Sequence, residues 1–150
     1  MELTHFILFG VIAAALLVAM VAGLRKATGI YLTENELDDM DGEEFEEFVA
    51  SLMKKTGYRI EGMTKASGDF GADIIAVMDR KKYAVQCKRY TSTVGVKAIQ
   101  EVVASAPHYD CDGTIVATTS HFTKGAVELA NDNGVILWDR KTLIRMMEEL

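Results

Sequence analysis

The sequence predicts an α/β fold, a mixed central sheet flanked by helices, preceded by one N-terminal transmembrane helix. Three observations predict it. An uncharged apolar run fills positions 6–24. After it the elements follow as helix, three strands, helix, strand, helix, strand, helix, an order that closes as a mixed sheet with helices on both faces. Between Gly68 and Tyr90 the chain reads as a glycine-rich turn, a strand, a tight polar turn at Asp79-Arg80-Lys81 and a second strand.

The apolar run comes first. From Phe6 to Leu24 no residue is charged, which is 24 − 6 + 1 = 19 positions. At about 1.5 Å per residue such a helix covers roughly the ~30 Å hydrocarbon core. A secretory signal peptide would open on a basic segment, whereas this leader is Met-Glu-Leu-Thr-His, so a retained anchor is the expectation. Arg25 and Lys26 follow the run directly. The positive-inside rule then puts the N-terminus outside and the remainder in the cytoplasm, as a single-pass protein of the cell membrane. Residues 1–28 read as the anchor, 29–40 as an acidic linker and 41–150 as one domain. The two cysteines, Cys87 and Cys111, have no metal-type spacing and read as reduced thiols.

A helix should start at Asp41. Asp41 and Glu44 form a capping-box pair, with Met40 and Phe45 as the staple. Phe45, Phe48, Val49, Leu52 and Met53 form its apolar stripe, and Gly57 ends it. On the wheel Glu47 falls opposite that stripe and Glu46 on its flank. Only the flanking glutamate could lean towards a site on the sheet beneath. Tyr58 to Lys65 is a strand, and then comes the hairpin. Val94 to Ala106 repeats apolar residues at helical spacing and ends near Pro107. Gly113 to Thr119 is a buried strand. Thr123 caps the next helix, which stops by Gly134. Val135 to Trp138 is a short strand, and Asp139 caps the last helix.

The hairpin carries the chemistry. In its second strand Tyr83, Val85 and Cys87 face a core, while Gln86 and Lys88 share the other face. Asp73 opens the first strand. Strand pairing therefore brings a carboxylate, an amide and an ammonium to one place, a workable site for a hard cation beside a phosphate. Mg²⁺ takes oxygen ligands and keeps several waters, so one or two protein carboxylates suffice; Mn²⁺ would fit as well. Asp73, the Gln86 amide oxygen and the Cys87 backbone carbonyl are the expected donors, with Glu46 able to complete a second cation's shell. Lys88 can hold or deprotonate the attacking water and offset charge at phosphorus. Asp69, Gly68 and Gly71 read as turn formers, His108 and His121 as solvated or capping residues, and Trp138 as core or as the staple of the last helix.

Phe45-Glu46, Gly68-Asp69-Phe70-Gly71-Ala72-Asp73-Ile74 and Gln86-Cys87-Lys88-Arg89-Tyr90 together resemble the catalytic domain of Mrr-like restriction endonucleases, of the PD-(D/E)xK nuclease superfamily. Thr118-Thr119-Ser120, Phe122-Thr123, Ala126 and Trp138-Asp139 resemble it too. The likeness covers roughly Asp41 to Leu150. It implies a restriction-endonuclease-like αβββαβ core and metal-dependent DNA cleavage. It carries Asp73, Gln86 and Lys88 over as the catalytic set, with Glu46 as the helix acid. Gln86 departs from the wider superfamily, where an acid is usual. The transmembrane span is a further departure.

Charge bears on the partner. The formal net charge is −6, and nine acids without a base lie between Glu34 and Glu47. From Phe48 onward 14 bases face 12 acids, 14 − 12 = +2. The hairpin bases, with Lys81, Lys82 and Arg89 as the expected nucleic-acid contacts, form a local patch, which is what phosphate binding requires. The leading expectation is a membrane-anchored Mg²⁺-dependent DNA endonuclease, and cutting two strands would suit a homodimer. The competing one is a nuclease-like module that holds DNA or a protein partner at the membrane without cutting.

Overall fold

The computed structural model describes residues 34–64 and 70–150, together with Leu16. The expected anchor, positions 6–24, lies outside the described residues apart from Leu16, as does Asp69. Among the described residues no helix is long and apolar enough to cross a membrane.

Helix α1 (Glu34–Asp39) occupies part of the stretch expected as linker. Its Leu37 is fully buried. The neighbouring Asp38 receives a two-pronged ion pair from Arg140, at 2.7 and 3.0 Å. One apolar side chain and one guanidinium fork thus dock an otherwise acidic segment onto the domain.

Helix α2 (Gly42–Lys55) starts at the expected capping box. The Asp41 side chain accepts from the Glu44 N–H, and the Glu44 carboxylate accepts from the Asp41 N–H, both at 2.9 Å. The whole predicted stripe, Phe45, Phe48, Val49, Leu52 and Met53, is buried. Three strands follow: β1 (Arg59–Met63), β2 (Ile74–Met78) and β3 (Lys81–Lys88). The β2–β3 turn is shorter than expected. Lys81 already pairs with Met78, leaving Asp79 and Arg80 as a two-residue connection, both at positive φ. That is the backbone a right-twisted hairpin prefers.

The crossover helix α3 (Val96–Ser105) leads to β4 (Gly113–Thr118), which lies parallel to β3. Helix α4 (Lys124–Asn133) leads to β5 (Ile136–Trp138), parallel to β4, and α5 (Arg140–Glu148) closes the chain. The strand order is β1-β2-β3-β4-β5, antiparallel on one side of β3 and parallel on the other. Thr123 and Asp139 cap their helices as expected, and Gly134 ends α4 at φ +67°.

Strand alternation assigns the layers. Ile75, Ala84 and Val116 pack with Ala98, Ile99 and Val102 of α3 and Ala126 and Ala130 of α4. Ile74, Val85 and Ile115 point to the opposite face, and all three are fully buried. Both faces of β3 are therefore covered. Gln86, expected on a face away from the core, is only 4% exposed.

Candidate active site

Asp73 sits one residue before β2, and its position is fixed from both sides. Its N–H donates to the Val85 carbonyl at 2.7 Å, and its carbonyl accepts from the Thr64 N–H at 2.8 Å. Opposite residues of an antiparallel pair share a face. Ile74 lies opposite Val85, which sets Asp73 beside Gln86. The side chains meet as that register requires. Asp73 Oδ2 accepts from Gln86 Nε2 at 2.7 Å and from the Cys87 N–H at 2.6 Å. In a strand one residue's N–H and C=O point to the same edge, so the Cys87 carbonyl faces the edge on which the Asp73 carboxylate lies.

The Gln86 amide is oriented by this contact, because the reversed orientation would aim its oxygen at a carboxylate. The consequence is an orphan. Gln86 Oε1 is buried and has no hydrogen-bond partner. A buried acceptor left unmade costs about 1–3 kcal/mol. An unsatisfied amide oxygen beside a carboxylate is the donor chemistry a hard cation needs, so the residues present fit a divalent ion. Among the described residues no three His, Cys, Asp or Glu side chains gather at one point. A cation here would depend on amide and carbonyl oxygens and on its own water.

Lys88 ends β3 on the same face as Gln86. Its Nζ lies 2.9 Å from Glu101 Oε2 of α3. Burial works to lower the pKa of this half-buried ammonium. The hydrogen bond and charge of Glu101 outweigh it, Tyr90 and Asp73 add to them, and the pKa is raised. Lys88 therefore stands as a cation. Glu46, on the flank of α2, is half-buried while Glu47 is exposed, as the helical wheel requires. Burial pushes the Cys87 thiol well up, the charges of Asp73 and Glu46 push it further, and Lys88 opposes them.

The chain beyond β3 is stitched in place by the threonine run. Thr118 Oγ1 donates to the Lys88 carbonyl at 2.7 Å. Thr119 Oγ1 donates to the Tyr90 carbonyl at 3.1 Å and accepts from the Tyr90 N–H at 3.2 Å. Val94 bridges to the next turn, its N–H bonding the His121 carbonyl and its carbonyl the Thr123 N–H.

The basic patch is not where sequence proximity puts it. Lys81 and Lys82 open β3 and Lys88 closes it. Lys88 lies six steps of strand beyond Lys82, about 20 Å at roughly 3.3 Å each. Lys82 faces Glu61 at 3.7 Å. The Arg89 guanidinium donates to the Asp38 carbonyl of α1. His108 is exposed, one of the two settings expected of it, with its ring tilted 38° against Phe70 and the ring centres 4.1 Å apart.

Glu101 is the residue that sequence reading missed. A signal existed, because Glu101 stands three residues from Ala98 and four from Ser105, both buried on α3. The wheel argument that singled out Glu46 applies to it equally.

Mixed sheet, β-hairpin site and crossover helix together define a restriction-endonuclease fold. Residues 37–147 match the restriction endonuclease family model Mrr_cat, and the chain belongs to that family. It is 29% identical over 138 residues to the type IV methyl-directed restriction enzyme EcoKMrr of Escherichia coli (strain K12), covering 84% of this chain and 44% of that one. The chain thus spans less than half the length of this relative. Among solved structures, it is similar to the DNA modification-dependent restriction endonuclease AspBHI, with TM-score 0.61 and 20% identity over 83% of this chain and 38% of that one. It is similar also to MspJI restriction endonuclease in complex with a 27-mer oligonucleotide, with TM-score 0.51 and 22% identity over 85% and 30%. A protein of unknown function, AF1548, gives TM-score 0.56 and 18% identity over 67% and 63%.

Proposed function

We propose that this chain is a membrane-anchored DNA endonuclease that hydrolyses phosphodiester bonds with Mg²⁺ or Mn²⁺, in the manner of type IV restriction enzymes. The observation that carries the reading is the Asp73 carboxylate locked beside the orphaned oxygen of Gln86, with the Lys88 ammonium at the end of the same strand. Asp73, Gln86 Oε1 and the Cys87 carbonyl would hold the cation, with Glu46 available to a second one. A bound divalent ion supplies Lewis-acid polarisation of the phosphate and a more acidic water. Lys88 offsets the negative charge that builds on the phosphoryl oxygens. Gln86 and Cys87 hold the Asp73 carboxylate in one orientation through their donated hydrogen bonds. DNA is the substrate this family and its relatives suggest. The uncharged run at 6–24, followed by Arg25 and Lys26, supports a single span with the nuclease domain on the cytoplasmic side. A homodimer would supply the two active sites that a double-strand break needs.

Nicking of supercoiled plasmid tests the reading. The full chain in mild detergent should nick with Mg²⁺ or Mn²⁺ and stop in EDTA. Asp73→Asn keeps the size and a hydrogen-bond acceptor but removes the charge, and should lower the rate by about a hundredfold or more. A variant that nicks as fast as the parent would sink the proposal. The neutral Gln86, which compensates less cation charge than an acid would, keeps a second reading open: a module that binds DNA without cutting it. A gel shift without nicking in either metal would select that reading.

A further inference from the structure

We propose that the cavity beside Lys88 is a second phosphate subsite, in which Lys97 holds a backbone phosphate neighbouring the scissile one. The inference rests on the nuclease reading and names where the rest of the strand is gripped. The cavity measures about 230 Å³ and is lined by Lys88, Tyr90, Val94, Gly95, Lys97 and Glu101. It opens where β3 ends, with Lys88, two residues past Gln86, in its wall.

Charge is the first argument. Glu101 holds two ammonium groups, Lys88 at 2.9 Å on one oxygen and Lys97 at 3.7 Å on the other. Among the lining residues two cations face one carboxylate, a surplus of one positive charge that the Asp73 carboxylate acts against. The two lysines are not equivalent. Lys88 is close and half-buried, whereas the Lys97 side chain is 85% exposed and its contact is long. A phosphate can therefore take Lys97 without stranding Glu101, which keeps Lys88. Among the bases, Lys81 and Lys82 lie at the far end of β3 and Arg89 is turned to Asp38. Tyr90, 47% exposed on the cavity wall, adds a hydroxyl donor.

Glycine at the cavity mouth is the second argument. Gly95 is the N-cap of α3, with φ −92° and ψ −174° and no side-chain cap. Any residue adopts that backbone, and a Cβ there would meet nothing within 4 Å. Ser, Thr, Asp or Asn would cap the helix better. Glycine gives up that stabilisation and leaves the opening clear.

Binding separates this subsite from the nuclease reading. The full chain in mild detergent is titrated into a short fluorescein-labelled duplex in EDTA, and anisotropy is followed from low to physiological salt. Lys97→Ala should weaken binding about fivefold and reduce the slope of log Kd against log salt by about one. Lys97→Arg should preserve both. Gly95→Asp should hold or raise the melting temperature, because it caps α3. It should nevertheless weaken binding at least as much as Lys97→Ala, because it adds a carboxylate at the mouth. A Lys97→Ala variant with the parent's affinity and salt slope would overturn the subsite, as would a Gly95→Asp variant that binds like the parent. In either case a parent chain that nicks leaves the nuclease reading standing. A parent that neither binds nor nicks would end both.

Discussion

Lys88→Ala is expected to lower the rate of plasmid nicking by about 10²–10³ while leaving the fold in place. The size follows from where the ammonium stands. It ends the strand that carries Gln86, and Glu101 holds it at 2.9 Å. Charge placed in advance where charge develops is usually the largest single contribution to such a reaction. Stability should suffer little. The side chain is partly solvated, an ion pair of this kind contributes about 0–1 kcal/mol, and Glu101 retains Lys97 as a partner. Thermal unfolding recorded beside the rate separates the two effects. A rate drop below about tenfold would mean that Lys88 does not stabilise the transition state.

Gly71→Ala should damage both stability and activity. Gly71 sits at φ +91°, and a Cβ there would lie 2.6 Å from the Glu101 carbonyl oxygen and 3.0 Å from its carbonyl carbon. Those are backbone atoms of a helix and cannot swing aside. The strained φ and the clash together should cost about 2–4 kcal/mol, a fall of roughly 10 °C in melting temperature for a domain of this size. Relief by moving the turn is blocked by Ala72, which is fully buried, and by Asp73, which is tied to Val85. Nicking should fall even below the melting transition, because any shift of the turn displaces the carboxylate. A melting temperature within about 2 °C of the parent would show that the turn yields freely.

Much of this architecture was legible because its determinants are local. Asp41 with Glu44, Thr123 and Asp139 each act within one helical turn, and each caps the helix expected of it. The meeting of Asp73 with Gln86 was legible in part. The strand pairing was expected, but the register that puts Asp73 beside Gln86 comes from a two-residue turn where three residues were expected. What escaped depends on distant partners. Leu37 is one apolar residue among acids, and its segment is held by Arg140, 102 positions away. Glu101 meets Lys88 only because a crossover helix returns over β3. The basic cluster failed for the opposite reason: Lys82 and Lys88 are close along the chain, but an extended strand is the longest way to connect two residues.

The placement of Cys87 has a consequence for handling and for chemistry in the cell. Alkylating reagents and peroxide attack the thiolate. Burial and two neighbouring carboxylates oppose that form at Cys87, and burial opposes it at Cys111 as well. Iodoacetamide at neutral pH should thus modify the native protein slowly at either sulfur, as mass spectrometry of the intact chain would read. Rapid labelling of Cys87 in the folded chain would contradict that. Thiol chemistry at these two positions should therefore be slow in the folded chain.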